Sequence, residues 1–410
     1  EPWDLGNLGW RTGQFSVPFA EWNDRFRDTA RTFWLEDVDG GSDFGRISLQ
    51  EMSTRLCGSA DLFATEPGVA LRPPSIFVSC HDGFTLTDLT RYRSKHNEAN
   101  GENNNDGSSV NHSANFGVEG VTDDPDVIAA REQAAMNMIG MLLLSLGTPM
   151  MLAGDEFRNT QDGNNNAYCQ DNDITWLKWD WMYSTNKTRE MRRLETVSRL
   201  VALRKSLDLY HHEDFFTRLT QIGLLKPSSR VQWFLPDGTT PMERDWFDLG
   251  VRSFTMRLLS NSEVDVCIVV NGTADDRTFR LPPDTHWTPK WCSAEINGRR
   301  AGHGTQVEEC DLNGDTTVWT QHVPDASETV LKMVEEVAMQ RTESSTENEA
   351  DTIKFAMPVT DHAANGTSSA PRDEVSADMP DAPVDDTPDT PVDDNVWTMP
   401  ALSITLMKQV

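Results

Sequence analysis

Apolar residues recur at helical spacing over 24–34, where Phe26, Ala30, Phe33 and Trp34 fall on one stripe. The same period predicts helical pieces over 47–57, 85–94, 125–146 and 187–206. The third is the strongest. Asp124 caps it, Pro125 opens it, Gly147 ends it, and Ala134, Ala135, Met138, Ile139, Leu142 and Leu143 form its apolar face. Short runs at 21–23, 75–80 and 149–153 alternate with these helices and read as strands. The unbroken apolar character of 75–80 suits a parallel strand covered on both faces. From about Asp208 the pattern changes to short strands and turns: 231–234, the turn Pro236-Asp237-Gly238, then 253–258, 264–271, 278–281 and 396–406. That is the pattern of an antiparallel sandwich. The fold class is therefore α/β, with an antiparallel domain behind it.

Composition changes the picture in two places. Residues 341–395 hold fourteen Asp/Glu against three Lys/Arg, six Pro and one aromatic, Phe355. Such a segment cannot bury enough apolar surface to offset its ordering entropy, so it is expected to be a disordered acidic insertion. The whole chain carries 65 acidic against 36 basic residues, a net charge of −29. This disfavours nucleic acid and anionic membranes as partners and suits a neutral ligand or a saline habitat. No run approaches the 18 apolar residues of a membrane helix. Six scattered Cys without CxxC spacing point to buried free thiols in a reducing, cytoplasmic setting rather than to zinc or a disulfide framework. Thirteen Trp against four Tyr fit flat sugar-binding faces, or simple packing.

Two acidic stretches carry candidate chemistry. Glu1 opens Glu1-Pro2-Trp3-Asp4, and Asp82 follows the strand 75–80 in His81-Asp82-Gly83, 81 positions later. In a parallel α/β barrel, strand ends converge on one face, so two such residues can meet. Paired carboxyls suit glycoside hydrolysis, in which one protonates the leaving oxygen and another handles the cationic sugar. The plain alternatives are a frayed terminus for Glu1 and a helix N-cap for Asp82. Residues 95–123 form a long Asn- and Gly-rich segment, the composition of a lid, a binding loop or disorder. The spacing around Asp106-Gly107 does not match a calcium loop. Asp155 and Glu156 are read as holding Arg158 and loop backbone in preference to contacting substrate, and Asn164-Asn165-Asn166 as sugar contacts or turn formers.

Several stretches occur in order: Glu1-Pro2-Trp3-Asp4, residues 19–28 around Glu21-Trp22-Asn23, His81-Asp82-Gly83-Phe84-Thr85-Leu86, His96-Asn97-Glu98-Ala99-Asn100-Gly101-Glu102, Gly147-Thr148-Pro149-Met150 with Ala153-Gly154-Asp155-Glu156, and Gly163-Asn164-Asn165-Asn166-Ala167-Tyr168. Together they resemble glycogen debranching enzymes of the isoamylase type, in the α-amylase superfamily of glycoside hydrolases. The resemblance is close over roughly 1–205 and weaker beyond. It implies a C-terminal half of a (β/α)8 barrel at 1–207, a β-sandwich at 208–340 and 396–410, and the acidic insertion at 341–395 between sandwich strands. It implies that Glu1 is the general acid/base and that Asp82 stabilises the transition state. His81, Trp3, Trp22, Asn23, Asn165 and Asn166 would bind substrate, with Trp22 alternatively a core residue. Neither a metal nor a cofactor is implied, and the expected partner is a branched α-glucan such as glycogen or limit dextrin. The family's nucleophile, an Asp in a Gly-Phe-Arg-Phe-Asp-type stretch, has no counterpart here, so the chain reads as part of a longer enzyme and inactive alone. The strand near Glu21 would then be an unpaired edge, and the isolated fragment is expected to aggregate. Rival readings are another α-glucan hydrolase or transglycosylase, or a non-catalytic glucan-binding protein.

Overall fold

The computed structural model describes residues 1–3, 9–15, 19–35, 46–63, 74–210, 231–259, 265–283, 286–303, 308–309, 395–401 and 403–409. The expected acidic insertion at 341–395 lies outside the described residues apart from Asn395.

Three short strands, β1 (Trp22–Asn23), β2 (Ser75–Ile76) and β3 (Thr148–Pro149), form a parallel sheet in chain order. Trp22 pairs with Ser75 and Ser75 with Thr148. Between β1 and β2 run helices α1 (Asp24–Leu35), α2 (Leu49–Leu56) and α3 (Ala60–Phe63). Helix α4 (Pro125–Leu144) leads into β3, and α5 (Arg189–Ser206) follows it. Strand, helix, parallel strand is the repeating unit of α/β folds. Among the described residues this sheet has three strands, so its closure into a barrel is not shown.

The helices begin where local chemistry satisfies their free N–H groups. Asn23 Oδ1 accepts from Phe26 N at 3.0 Å and so caps α1. Ser48, Asp124 and Thr188 cap α2, α4 and α5 in the same way. α4 is long and apolar enough to cross a membrane by length and composition, contrary to the reading of the sequence. However, 78% of that window is buried inside the protein, as in a core helix.

The expected helix over 85–94 is not formed. Only Asp88–Thr90 makes a 3-10 turn. The carbonyls that would close further helical turns are taken from outside: Ala114 N donates to Leu89 O at 3.0 Å and Gly120 N to Arg91 O at 2.8 Å.

The antiparallel region contains β4 (Val231–Phe234), β5 (Ser253–Leu258), β6 (Val266–Asn271), β7 (Arg277–Arg280), β8 (Trp287–Cys292), β9 (Arg299–Arg300), β10 (Gly302–His303), β11 (Glu308–Glu309), β12 (Val396–Met399) and β13 (Ser403–Gln409). A five-stranded sheet runs β4-β5-β6-β13-β8, and a three-stranded sheet runs β10-β12-β7. The expected single strand over 396–406 is two strands, one in each sheet. All six residues of β6 are buried. Cys267 and Val269 share a cluster with Phe279, Trp397 and Met399 of the smaller sheet. Val266, Ile268 and Val270 belong to the main core with α4. The five-stranded sheet is thus covered on both faces. Gly140 lets α4 lie flush on it, because a Cβ there would come within 2.7 Å of Ile404 and 2.8 Å of Trp291.

Candidate functional site

The chain brings its two acidic stretches together. One carboxylate oxygen each of Glu1 and Asp82, and one ring nitrogen of His81, all lie within 4.8 Å of one another. Nε2 of His81 is 3.7 Å from Oδ1 of Asp82. All three residues are exposed, the side chains of His81 and Asp82 by 61% and 70%. Trp22 borders them: its ring meets the His81 ring edge-on at 5.9 Å, the Phe77 ring at 5.4 Å and the Trp3 ring at 6.5 Å. The result is a polar cluster against half-buried aromatic faces.

The acidic arm is held from below. Ser79 donates to Oδ2 of Asp155, and Leu86 N donates to its Oδ1 at 2.9 Å, so one buried carboxylate ties both ends of residues 79–86. Burial raises this carboxyl to about 7. Gly83 N donates to Asn165 O at 3.0 Å, and its φ of +92° favours glycine. Arg31 of α1 donates from Nε to Val78 O at 2.7 Å and from Nη1 to Asn111 O at 3.1 Å. Burial lowers this guanidinium to about 10.

The residues expected to bind sugar divide. Trp3 and Trp22 lie beside the cluster. Asn23 is a correction: at 0% exposure it has no surface for a ligand, and its amide group caps α1 and donates to Ser59 Oγ at 2.8 Å. Asn165 is a second correction. It is 2% exposed, donates to Asn111 Oδ1 and Ser108 O, and accepts from Asn97 at 2.8 Å. Asn166 donates to Oδ2 of Asp106 at 2.9 Å. These asparagines knit the segment around 97–111 to the loop around 164–166, next to the Gly83 turn. Asp155 supports the arm itself, and Glu156 accepts from Gly154 N at 2.8 Å. The reading of the sequence missed Glu21, whose buried carboxylate accepts from Gly13 N at 2.7 Å and Phe15 N at 3.1 Å, pinning the segment that follows Trp10.

No protein-family model matches the chain. Curated relatives do. It is 38% identical over 314 residues to a glycogen debranching enzyme of Pectobacterium atrosepticum, covering 76% of this chain and 43% of that protein. It is 39% identical over 299 residues to a glycogen operon protein GlgX homolog of Haemophilus influenzae, covering 71% and 40%. A glycogen debranching enzyme of an Enterobacter species is 48% identical over 180 residues, covering 44% and 26%. Among solved structures, the pullulanase of Bacillus acidopullulyticus overlaps with a TM-score of 0.44 at 18% identity, over 76% of this chain and 31% of that one. A GBS pullulanase SAP in complex with maltotetraose overlaps at 0.48 with 11% identity, over 99% and 41%. Over most of its length the chain is thus similar to proteins named glycogen debranching enzyme and glycogen operon protein GlgX homolog, and it spans about two fifths of the length of the first two named here.

Proposed function

We propose that the protein to which this chain belongs hydrolyses α-1,6 branch linkages in glycogen or limit dextrin, with retention of configuration. The observation that carries this reading is the meeting of Glu1, Asp82 and His81 within 4.8 Å beside Trp22. The names of the curated relatives support the same substrate class.

Glu1 would protonate the bridging oxygen and then deprotonate the attacking water. Asp82 would bind the sugar ring more tightly as positive charge develops on it, which lowers the barrier rather than merely the KM. His81, beside the Asp82 carboxylate, would hold a ring hydroxyl, and the Trp22 and Trp3 faces would bound the apolar side of the sugar. The nucleophile for retention would come from sequence beyond these residues. The 4.8 Å cluster joins the proposed acid to a stabilising carboxylate, so the spacing rule for acid and nucleophile does not apply to it.

The test is Glu1→Gln in the full-length protein, assayed on glycogen limit dextrin. Turnover should fall by about 10²–10⁴ while glucan binding persists. Unchanged turnover would remove Glu1 from the mechanism. Activity on linear amylose but not on pullulan or glycogen would instead assign the protein to α-1,4 chemistry.

A further inference from the structure

A cavity of about 250 Å³ lies away from the acidic cluster, lined by the first turns of α4 and α5, by Arg158 and by the 3-10 turn Ser293–Asn297. Its charge runs against that of the chain. Three arginines, Arg158, Arg189 and Arg192, line it against one glutamate, in a protein of net charge −29. The glutamate is already committed: Glu132 takes Arg193 Nε at 2.5 Å and Nη2 at 2.8 Å, and Arg158 Nη1 at 2.6 Å. Those two cations hold its carboxyl below the usual range despite its burial.

Arg158 is the informative residue. Its side chain is 9% exposed, yet Nε has no hydrogen-bond partner among the described residues, and the nearest carboxylate on that side, Glu190, is 3.7 Å away. Its backbone sits at φ +70°, a conformation that costs a non-glycine residue energy and persists where the surroundings impose it. Leaving a buried guanidinium N–H without an acceptor costs about 1–3 kcal/mol or more for a charged group. Arg189, exposed, and Arg192, half-buried, line the same cavity. Planar guanidinium forks match a phosphoryl group better than a lone halide. Pro125, Ile128, Ala129 and Ile296 also line it and add apolar surface suited to a sugar ring's carbon face. The volume is below that of drug-sized pockets and suits a small metabolite. Asp124 and Asp126 flank Pro125, but Asp124 is engaged in capping α4.

We propose that this cavity binds a small phosphate monoester, the phosphoryl group on Arg158, Arg189 and Arg192 and its organic part against Ile128 and Ile296. The site is separate from the proposed catalytic cluster and does not depend on that reading.

Isothermal titration of the full-length protein with glucose 6-phosphate tests it, with glucose as the uncharged control. Saturable one-to-one binding is expected, weakened at least tenfold in Arg189→Ala/Arg192→Ala and partly kept in Arg192→Lys. Those two side chains lie outside the buried Glu132 network, so the double variant should keep its circular dichroism and Tm, whereas replacing Arg158 risks the fold. Absence of saturable binding, binding indifferent to the double substitution, or glucose binding as tightly as its phosphate would each overturn the assignment.

Discussion

Asp155 shows how one buried residue shapes the arm that carries Asp82. Burial raises its carboxyl from 3.8 to about 7. A raised folded-state pKa means that this group's contribution to stability is fully present below the unfolded value near 3.8 and is lost as pH rises through about 7. Each pKa unit is worth about 1.4 kcal/mol, so the loss should reach a few kcal/mol by mildly alkaline pH. Asp155→Asn keeps an acceptor for Leu86 N and a partner for Ser79 but cannot ionise. The variant should therefore lose less Tm than the parent between pH 5 and 8, and a melting series over that range checks it. Parallel curves for the two proteins would show that Asp155 does not titrate there. At this scale the sequence was informative about which motifs would lie near one another. It placed Glu1, His81 and Asp82 on stretches that do meet. It misjudged Asn23 and Asn165 because an asparagine's chemistry is the same in a cap, a loop bridge and a sugar site. Only the partners decide, and Ser59, Asn97 and Asn111 lie tens of positions away.

Among elements, α4 is the one most tightly specified. Its cap, its opening proline and its apolar face were all legible. What periodicity could not show is that Gly140 is the point where the helix touches Ile404 and Trp291 of the sheet. Gly140→Ala improves helix propensity by roughly 1 kcal/mol but pushes a methyl into an occupied space. Overpacking typically costs about 1–3 kcal/mol, so the variant should be destabilised on balance. Urea unfolding at constant m-value measures this, and a gain in stability would show that the interface yields. The strand over 75–80 was legible as buried and apolar, yet only Ser75 and Ile76 pair, since residues 79–86 are tied to Asp155 instead. β8 was missed because Trp-Thr-Pro-Lys-Trp-Cys contains Pro289, which a central strand would exclude. β8 is an edge strand of its sheet, where a proline is tolerated.

Across the molecule, the α/β and antiparallel parts share one hydrophobic core running from Phe26 through Met138 to Phe254 and Leu406. Arg252 fastens them, donating to Phe33 O at 2.6 Å and to Gly272 O at 2.8 Å while its guanidinium lies 4.7 Å from the Phe33 ring. The sequence separated these regions by a change of period, and their antiparallel and parallel characters are as read. The shared core was not legible, because it arises between residues more than two hundred positions apart.

β13 sits in the middle of its sheet, bonded to β6 on one side and β8 on the other. During synthesis, β6 and β8 therefore leave the ribosome with a gap between them that only residues 403–409 can fill. That sheet's fold must wait for residues 403–409 to emerge, and a nascent chain stalled earlier presents two unzipped margins. By the same logic, a piece ending at Glu309 and a piece beginning at Asn395, produced together, should co-migrate on a native column and separate only in denaturant. Dissociation under native conditions would mean that β13 is seated more loosely than its ladder indicates.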